Sequence, residues 1–219
     1  MKDTNENIDT NPEKINADPV NDDTSCHVCN KAHEVRRGTI LVSSPFLADP
    51  NFKRTSILIL DKDSKGGFIG LILNRKLNID LEDVFNIKGR NSVMRLQEGG
   101  PVDLQRIFWI HSLGNKLKEA IEILPGLYVG GDYDDMIAQI FNSEVNLSNK
   151  IRFYLGYSGW NPGQLEKEIE SGAWGVLTDM LDPQLVLELE GDELWNQLCL
   201  RLGSDYRHWR IFPADPNLN

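Results

Sequence analysis

Two runs near the start of the folded region are apolar at odd and even positions alike. They are "RTSILILD" (residues 54–61) and "GGFIGLILN" (residues 66–74). A strand covered on one face alternates, whereas a strand covered on both does not, so both are expected at the centre of a sheet. "DKDSKGG" between them reads as a hairpin loop. Gly70, inside the second run, predicts a bulge or a close backbone approach. Ahead of them "GTILVSSP" (38–45) is a short strand stopped by Pro45, and "LADPNF" (47–52) is turn chemistry.

Helical spacing follows. "NIDLEDVF" (78–85) predicts a short helix capped by Asp80, with Leu81, Val84 and Phe85 turned inward. "LQEGGPVD" ends a strand in a Gly-Gly-Pro turn, and "RIFWIHS" and "GLYVGG" are further strands. After Asp132, residues Tyr133, Met136, Ile137, Ile140 and Phe141 make an i, i+3, i+4, i+7, i+8 stripe. "KIRFYLGY" (150–157) alternates, with Ile151, Phe153 and Leu155 set against Arg152 and Tyr154, and predicts a strand with one buried face. "WGVLTD" and "LVLELE" read as short strands, and "DELWNQLCLRLG" as a closing helix capped by Asp192. Hairpin-like connections with interspersed helices predict an α+β domain over residues 36–219. Residues 1–35 are polar, acidic and without aromatics, the composition of a disordered tail.

The corner "GYSGWNPGQ" (156–164) joins a strand to a helix and admits three readings. As a helix start, Asn161 is the N-cap, Pro162 the first helical residue, and Gln164 returns a bond to the Asn161 N–H. As an anion cradle, free N–H groups at that start attract phosphate or carboxylate. As a nucleophile elbow built on Ser158, the spacing fails, because Trp160 stands where the second glycine belongs. No sequence feature pairs His111 or His208 with that serine. The helix-start reading accounts for each residue.

Lys and Arg number 23 against 33 Asp and Glu, a net charge of −10. Such a field repels nucleic-acid phosphates, and the best candidate for a local basic patch, Arg201, Arg207, His208 and Arg210, has Asp205 and Asp215 beside it. No apolar run reaches the roughly 20 residues needed to span a bilayer, so no membrane partner is expected. The polar N-terminus is not a secretory signal, and three cysteines suit a reducing compartment, so a cytoplasmic location is expected. Cys26 and Cys29, with His27 and His33 nearby, have C-x-x-C spacing but lack a second ligand pair, so no metal or other cofactor is predicted. Cys199 falls among apolar helix positions and reads as packing.

The ordered segments "GTILVSSPFLADPNFKRTSILIL", "GFIGLILNRKL", "GGPVD", "IFWIHS", "LGYSGWNPGQLEKEI" and Trp174 resemble the AlgH/YqgE family of bacteria. The resemblance runs from about Arg37 to the final helix and leaves the cysteines of the tail outside it. It implies a single α+β domain whose mostly antiparallel, mixed sheet folds into a pseudo-barrel with flanking helices. It brings no established activity and no agreed catalytic residues. Its transcriptional-regulator label comes from a genetic link to alginate production and does not imply DNA contact.

Polar groups at strand ends then supply a candidate ligand-binding set: Arg54, Asn74, Gly99, Gly100, Pro101, Trp160, Asn161 and Gln164. The favoured expectation is a regulatory or binding protein acting through protein or small-ligand contacts. One alternative is an enzyme with a small pocket at the 156–164 corner. Another is a direct DNA-binding regulator, which the acidic charge disfavours.

Overall fold

The computed structural model describes residues 34–86, 88–178 and 182–213. The proposed tail and its cysteines lie outside that range, apart from Glu34 and Val35, and Val35 is already buried. Among the described residues there are ten strands: β1 (Ile40–Ser43), β2 (Ser56–Lys62), β3 (Phe68–Ile72), β4 (Lys76–Asp80), β5 (Arg95–Glu98), β6 (Val102–His111), β7 (Ile121–Leu124), β8 (Leu127–Val129), β9 (Ile151–Trp160) and β10 (Trp174–Leu177). Five α-helices accompany them among the same residues: α1 (Leu81–Phe85), α2 (Tyr133–Asn142), α3 (Gln164–Glu170), α4 (Pro183–Glu188) and α5 (Gly191–Arg201). A 3-10 helix, Ser204–Ile211, packs beside α5.

The strands pair in the order β10-β1-β2-β3-β9-β6-β8-β7, with β5 on β9 and β4 on β5. All pairs are antiparallel except β5 with β9. This is the expected mixed α+β domain, but the sheet is not closed: β10 and β7 end the path, so the strands form no continuous barrel.

The two unbroken apolar runs are β2 and β3, inside the sheet and covered on both faces. Leu58, Leu60 and Leu71 join a core under α4 and α5, with Leu187, Trp195 and Leu198. Ile57, Ile59 and Ile72 join another under α3, with Leu165, Ile169 and Trp174. A third core gathers Met136 and Ile140 of α2 against Ile151 and Phe153 of β9. Gly70 permits a close approach, since a Cβ there would lie 2.7 Å from Ile57 Cγ2, and the β2–β3 register shifts just beyond it.

Four local expectations change. "LVLELE" is not a strand: Asp182 accepts from Gln184 N (2.9 Å) and Pro183 takes the first turn, so the cap signal outweighs the alternating leucines and α4 forms. The closing helix starts at Gly191 with Glu190 as N-cap, leaving Asp192 inside its first turn. Val84 and Tyr133 are exposed, 39% and 51%, so α1 and α2 bury narrower faces than their spacing suggested. β9 is buried on both faces: Tyr154 is 0% exposed and Arg152 6%, because α4 and α5 cover the face that the alternation assigned to water.

β9 organises the sheet. One edge holds β6, and the other is shared by β3 at Ser158–Trp160 and β5 at Tyr154–Leu155. The handover occurs where 99–100 crosses 156–158. Gly99 N–H donates to Leu155 C=O (2.8 Å), and Gly99 C=O accepts from Ile72 N–H (2.9 Å) and Ser158 Oγ (3.2 Å). A Cβ on Gly99 would stand 2.2 Å from Gly156 O, and one on Gly100 2.4 Å from Ser158 N. Such contacts cannot be relieved by a side-chain rotation, because both partners are backbone. Gly99→Ala should therefore lower stability by about 3 kcal/mol in urea unfolding. Gly89→Ala, where a Cβ meets nothing within 4 Å, should be close to neutral. Equal midpoints for the two variants would contradict the crossing.

Candidate functional site

The corner after β9 is built as a backbone turn held by aromatic anchors. Gln164 Oε1 accepts from Asn161 N–H (3.1 Å), the return bond expected of a capping pair. The helix, however, starts two residues later than its sequence suggests: Gly163, at φ +76°, is the N-cap, so neither Asn161 nor Pro162 takes its expected place. Glycine's tolerance of left-handed backbone gives it the reversal that asparagine would otherwise cap. Ser158 is fully buried and donates to Gly99 C=O. His111, the candidate base, has its Nε2 3.1 Å from Gly130 O, and its Nδ1 accepts from Leu113 N–H (3.2 Å). The serine and the imidazole are each committed elsewhere, and the elbow reading has no partner for its nucleophile.

Glu168 of α3 ties the corner to its aromatic neighbours. Its Oε2 accepts from the indole N–H groups of Trp160 (2.9 Å) and Trp174 (2.8 Å), and its Oε1 from Gln164 Nε2 (2.9 Å). Phe52 stacks on Trp160 at 6.2 Å between ring centroids and meets Trp174 edge-on at 5.7 Å. One carboxylate thus satisfies two indoles that are 4% and 1% exposed.

The eight candidate residues fall in three places. Arg54 and Asn74 meet at the start of α5. Arg54 Nε donates to Asp192 Oδ1 (3.1 Å), its Nη1 donates to Phe212 C=O (3.1 Å), and its guanidinium lies 4.1 Å from the Trp195 ring centre. Asn74 accepts from Ser56 N–H (2.9 Å) and donates to the carbonyls of Arg54 (2.9 Å) and Gly191 (3.1 Å). Gly99, Gly100 and Pro101 belong to the crossing beside β9. Trp160 and Asn161 share a cleft with Asp63, Phe68 and Tyr157, and Gln164 stays at the corner. The structure therefore groups Arg54 with Asn74, and Trp160 with Asn161, but does not gather all eight around one cavity. Arg207, His208 and Arg210 are exposed on the 3-10 helix.

A different cavity, of about 370 Å³, opens where β4, β5 and β9 meet the α4–α5 junction, and it is rich in cations. Lys76, Arg90, Arg95, Gln97, Arg152 and Glu190 line it. Register explains the grouping: Lys76 pairs across from Gln97, and Gln97 across from Tyr154, two residues beyond Arg152 on the same face. The Arg152 guanidinium donates to Leu189 C=O (2.8 Å) and stands 3.6 Å from Glu190 Oε1. Lys76 Nζ lies 2.8 Å from Glu190 Oε2. Arg95 donates to Asn78 Oδ1 (2.6 Å) and lies 3.6 Å from Asp80, while Arg90 is exposed.

Gln97 is 2% exposed, and its buried Oε1 meets no hydrogen-bond donor among the described residues. An orphan acceptor of this kind costs about 1–3 kcal/mol. Beside it, burial pushes the Tyr154 phenol up to about 12, with Arg152 opposing that shift and Glu190 adding to it. The ring is thus neutral near pH 7 and brings no negative charge to the cavity. None of these cavity residues was in the set read from the sequence. The available signal was Arg152 itself, a cation inside an otherwise apolar strand. Among the described residues, no cluster of three or more His, Cys, Asp or Glu could hold a metal ion.

A family model described as AlgH-like matches residues 40–207. A UPF0301 protein of Parabacteroides distasonis is 35% identical over 184 residues, covering 84% of this chain and 91% of its own length. One of Chlorobium limicola is 35% identical over 191 residues, covering 87% and 99%. The solution structure of the AlgH protein from Pseudomonas aeruginosa superposes with a TM-score of 0.62 at 28% identity, over 81% of this chain and 94% of that one. The crystal structure of protein DIP2367 from Corynebacterium diphtheriae shares the fold, with a TM-score of 0.63 at 20% identity over 81% and 93%. The chain belongs to the AlgH-like family.

Two measurements check this geometry. Glu168→Ala leaves two buried indole N–H groups without an acceptor and should cost about 1–3 kcal/mol for each. Glu168→Gln, which keeps one carbonyl oxygen, should cost less, and near-UV circular dichroism should report the loosened tryptophans. Burial lowers the His111 pKa below its ordinary 6.5, against a smaller opposing effect of the Gly130 carbonyl. Since the folded value lies below the unfolded one, the stability it contributes is complete above about pH 6.5 and is lost as pH falls. An NMR titration of His111 should give a midpoint below 6.5, and a midpoint above it would contradict the buried neutral ring.

Proposed function

We propose that this AlgH-like protein is a regulatory, ligand-binding protein of the cytoplasm, and that the cavity around Arg152 and Gln97 receives a small anionic ligand. The observation that carries this reading is the Arg152 guanidinium, only 6% exposed, in the wall of a cavity that three further cations also line. Burying a guanidinium costs several kcal/mol unless charges and hydrogen bonds offset it. Here the offset is one carbonyl and a share of one carboxylate, while Lys76, Arg90 and Arg95 add further positive charge.

In a chain of net charge −10, that concentration of cations is a local exception. The surrounding negative field favours a compact anion able to enter the cavity over an extended polyanion, consistent with a regulator that does not grip DNA. No described helix is long and apolar enough to cross a membrane.

Thermal unfolding against a panel of small carboxylates and phosphates should reveal at least one anion that raises Tm. At 100 times Kd such a ligand adds about 2.7 kcal/mol of stability. The shift should vanish in Lys76→Met, a half-exposed position where the fold tolerates the change, and in Arg152→Met. A shift that survives both substitutions, or the absence of any shift across the panel, would refute the reading.

A further inference from the structure

We propose that Glu190 is an internal stand-in for the ligand, and that the ligand is a phosphate group, free or carried as a monoester, which takes the seat now held by the Glu190 carboxylate. This deepens the anion-binding reading above and rests on it. Two cations from different strands converge on that carboxylate: Lys76 of β4 at 2.8 Å from Oε2, and Arg152 of β9 at 3.6 Å from Oε1. The second distance is too long for a good hydrogen bond, so the guanidinium is incompletely matched. The carboxylate is also free to leave. The Glu190 side chain is 39% exposed and sits at the junction between α4 and α5, just before Gly191 at φ +53°.

A tethered carboxylate competes with free ligands at a high effective concentration. A free monocarboxylate offers the same charge and the same two coplanar oxygens, so it gains nothing over Glu190. A phosphate monoester offers up to two charges and three terminal oxygens in a tetrahedron. It can engage Lys76 and Arg152 together and draw on Arg90 and Arg95, which also line the cavity.

Glu190 is the N-cap residue of α5, and Asn74 holds the next carbonyl, Gly191 O, at 3.1 Å. The Glu190 side chain makes no cap bond to that helix, so it can leave its two cations without unfastening the helix start.

The test is titration calorimetry of glycerol 3-phosphate, inorganic phosphate and acetate against the wild-type chain, Glu190→Gln and Glu190→Asp. Glycerol 3-phosphate and inorganic phosphate should each bind the wild type more tightly than acetate, and their ratio distinguishes a monoester from free phosphate as the source. Removing the competing charge in Glu190→Gln should raise acetate affinity by about tenfold. Glu190→Asp, which keeps the charge but withdraws it by one methylene, should give an intermediate gain and serves if the glutamine variant folds poorly. Unchanged or weakened binding in both variants would overturn the stand-in role. Acetate binding the wild type at least as well as glycerol 3-phosphate would overturn the ligand class and leave anion binding standing. If no probe binds the wild type or either variant, the cavity reading fails together with this one.

Discussion

The crossing of residues 99–100 over 156–158 is the constraint on which the rest of the architecture depends. Backbone meets backbone there with no room for a Cβ on either side. Because Gly99 bonds both Leu155 and Ile72, β5 is delivered alongside β9 in parallel while β3 continues along the same edge. That placement sets Gln97 opposite Tyr154, and the β4 pairing then sets Lys76 opposite Gln97. The cavity cations are brought together by register, through a chain of pairings that begins at three glycines. Ser158 closes the crossing with a hydroxyl bond to Gly99, which gives the serine of the corner a structural duty.

Buried polar groups in this protein divide into two kinds. At the base of α5, Arg54 and Asn74 spend their donors on named partners and fasten the helix to the ends of β2 and β3. At the corner, Glu168 answers two indoles at once. Around the cavity the matching is incomplete: Gln97 Oε1 and the Tyr154 hydroxyl meet no hydrogen-bond partner of good geometry, and Arg152 leans on a carboxylate 3.6 Å away. Ser56 Oγ, Trp109 Nε1 and Glu166 Oε2 are also unmatched, away from this cavity, so what marks the candidate site is the gathering of four cations around it and not an unmet polar atom.

The resemblance drawn from the ordered motifs agrees with the family match and with the fold of the Pseudomonas AlgH protein. The motifs themselves largely mark the crossing and the corner. "GGPVD" and "GYSGW" are the two strands of chain that pass each other, so their unusual composition reflects steric demand before any chemistry. Selecting polar residues at strand ends favoured positions where turns need capping, and this is why Arg54 and Asn74 emerged as a structural pair.

Periodicity, capping and glycine placement determined much of this protein from sequence alone. Unbroken apolar runs announced central strands, Asp132 announced α2 and accepts from Asp135 N–H (2.8 Å), and the motif order announced the family. These signals are local, and local backbone preference survives into the fold when nothing opposes it. Tertiary structure decided the rest. Alternation made Arg152 and Tyr154 look solvent-facing, and only the docking of α4 and α5 onto β9 buried them. Lys76, Gln97, Arg152 and Glu190 are separated by up to 114 residues between bonded partners, and strand register brings them to one cavity. A window of sequence encodes which face a residue prefers, but not what will cover that face, because covering is a long-range contact chosen by the whole chain.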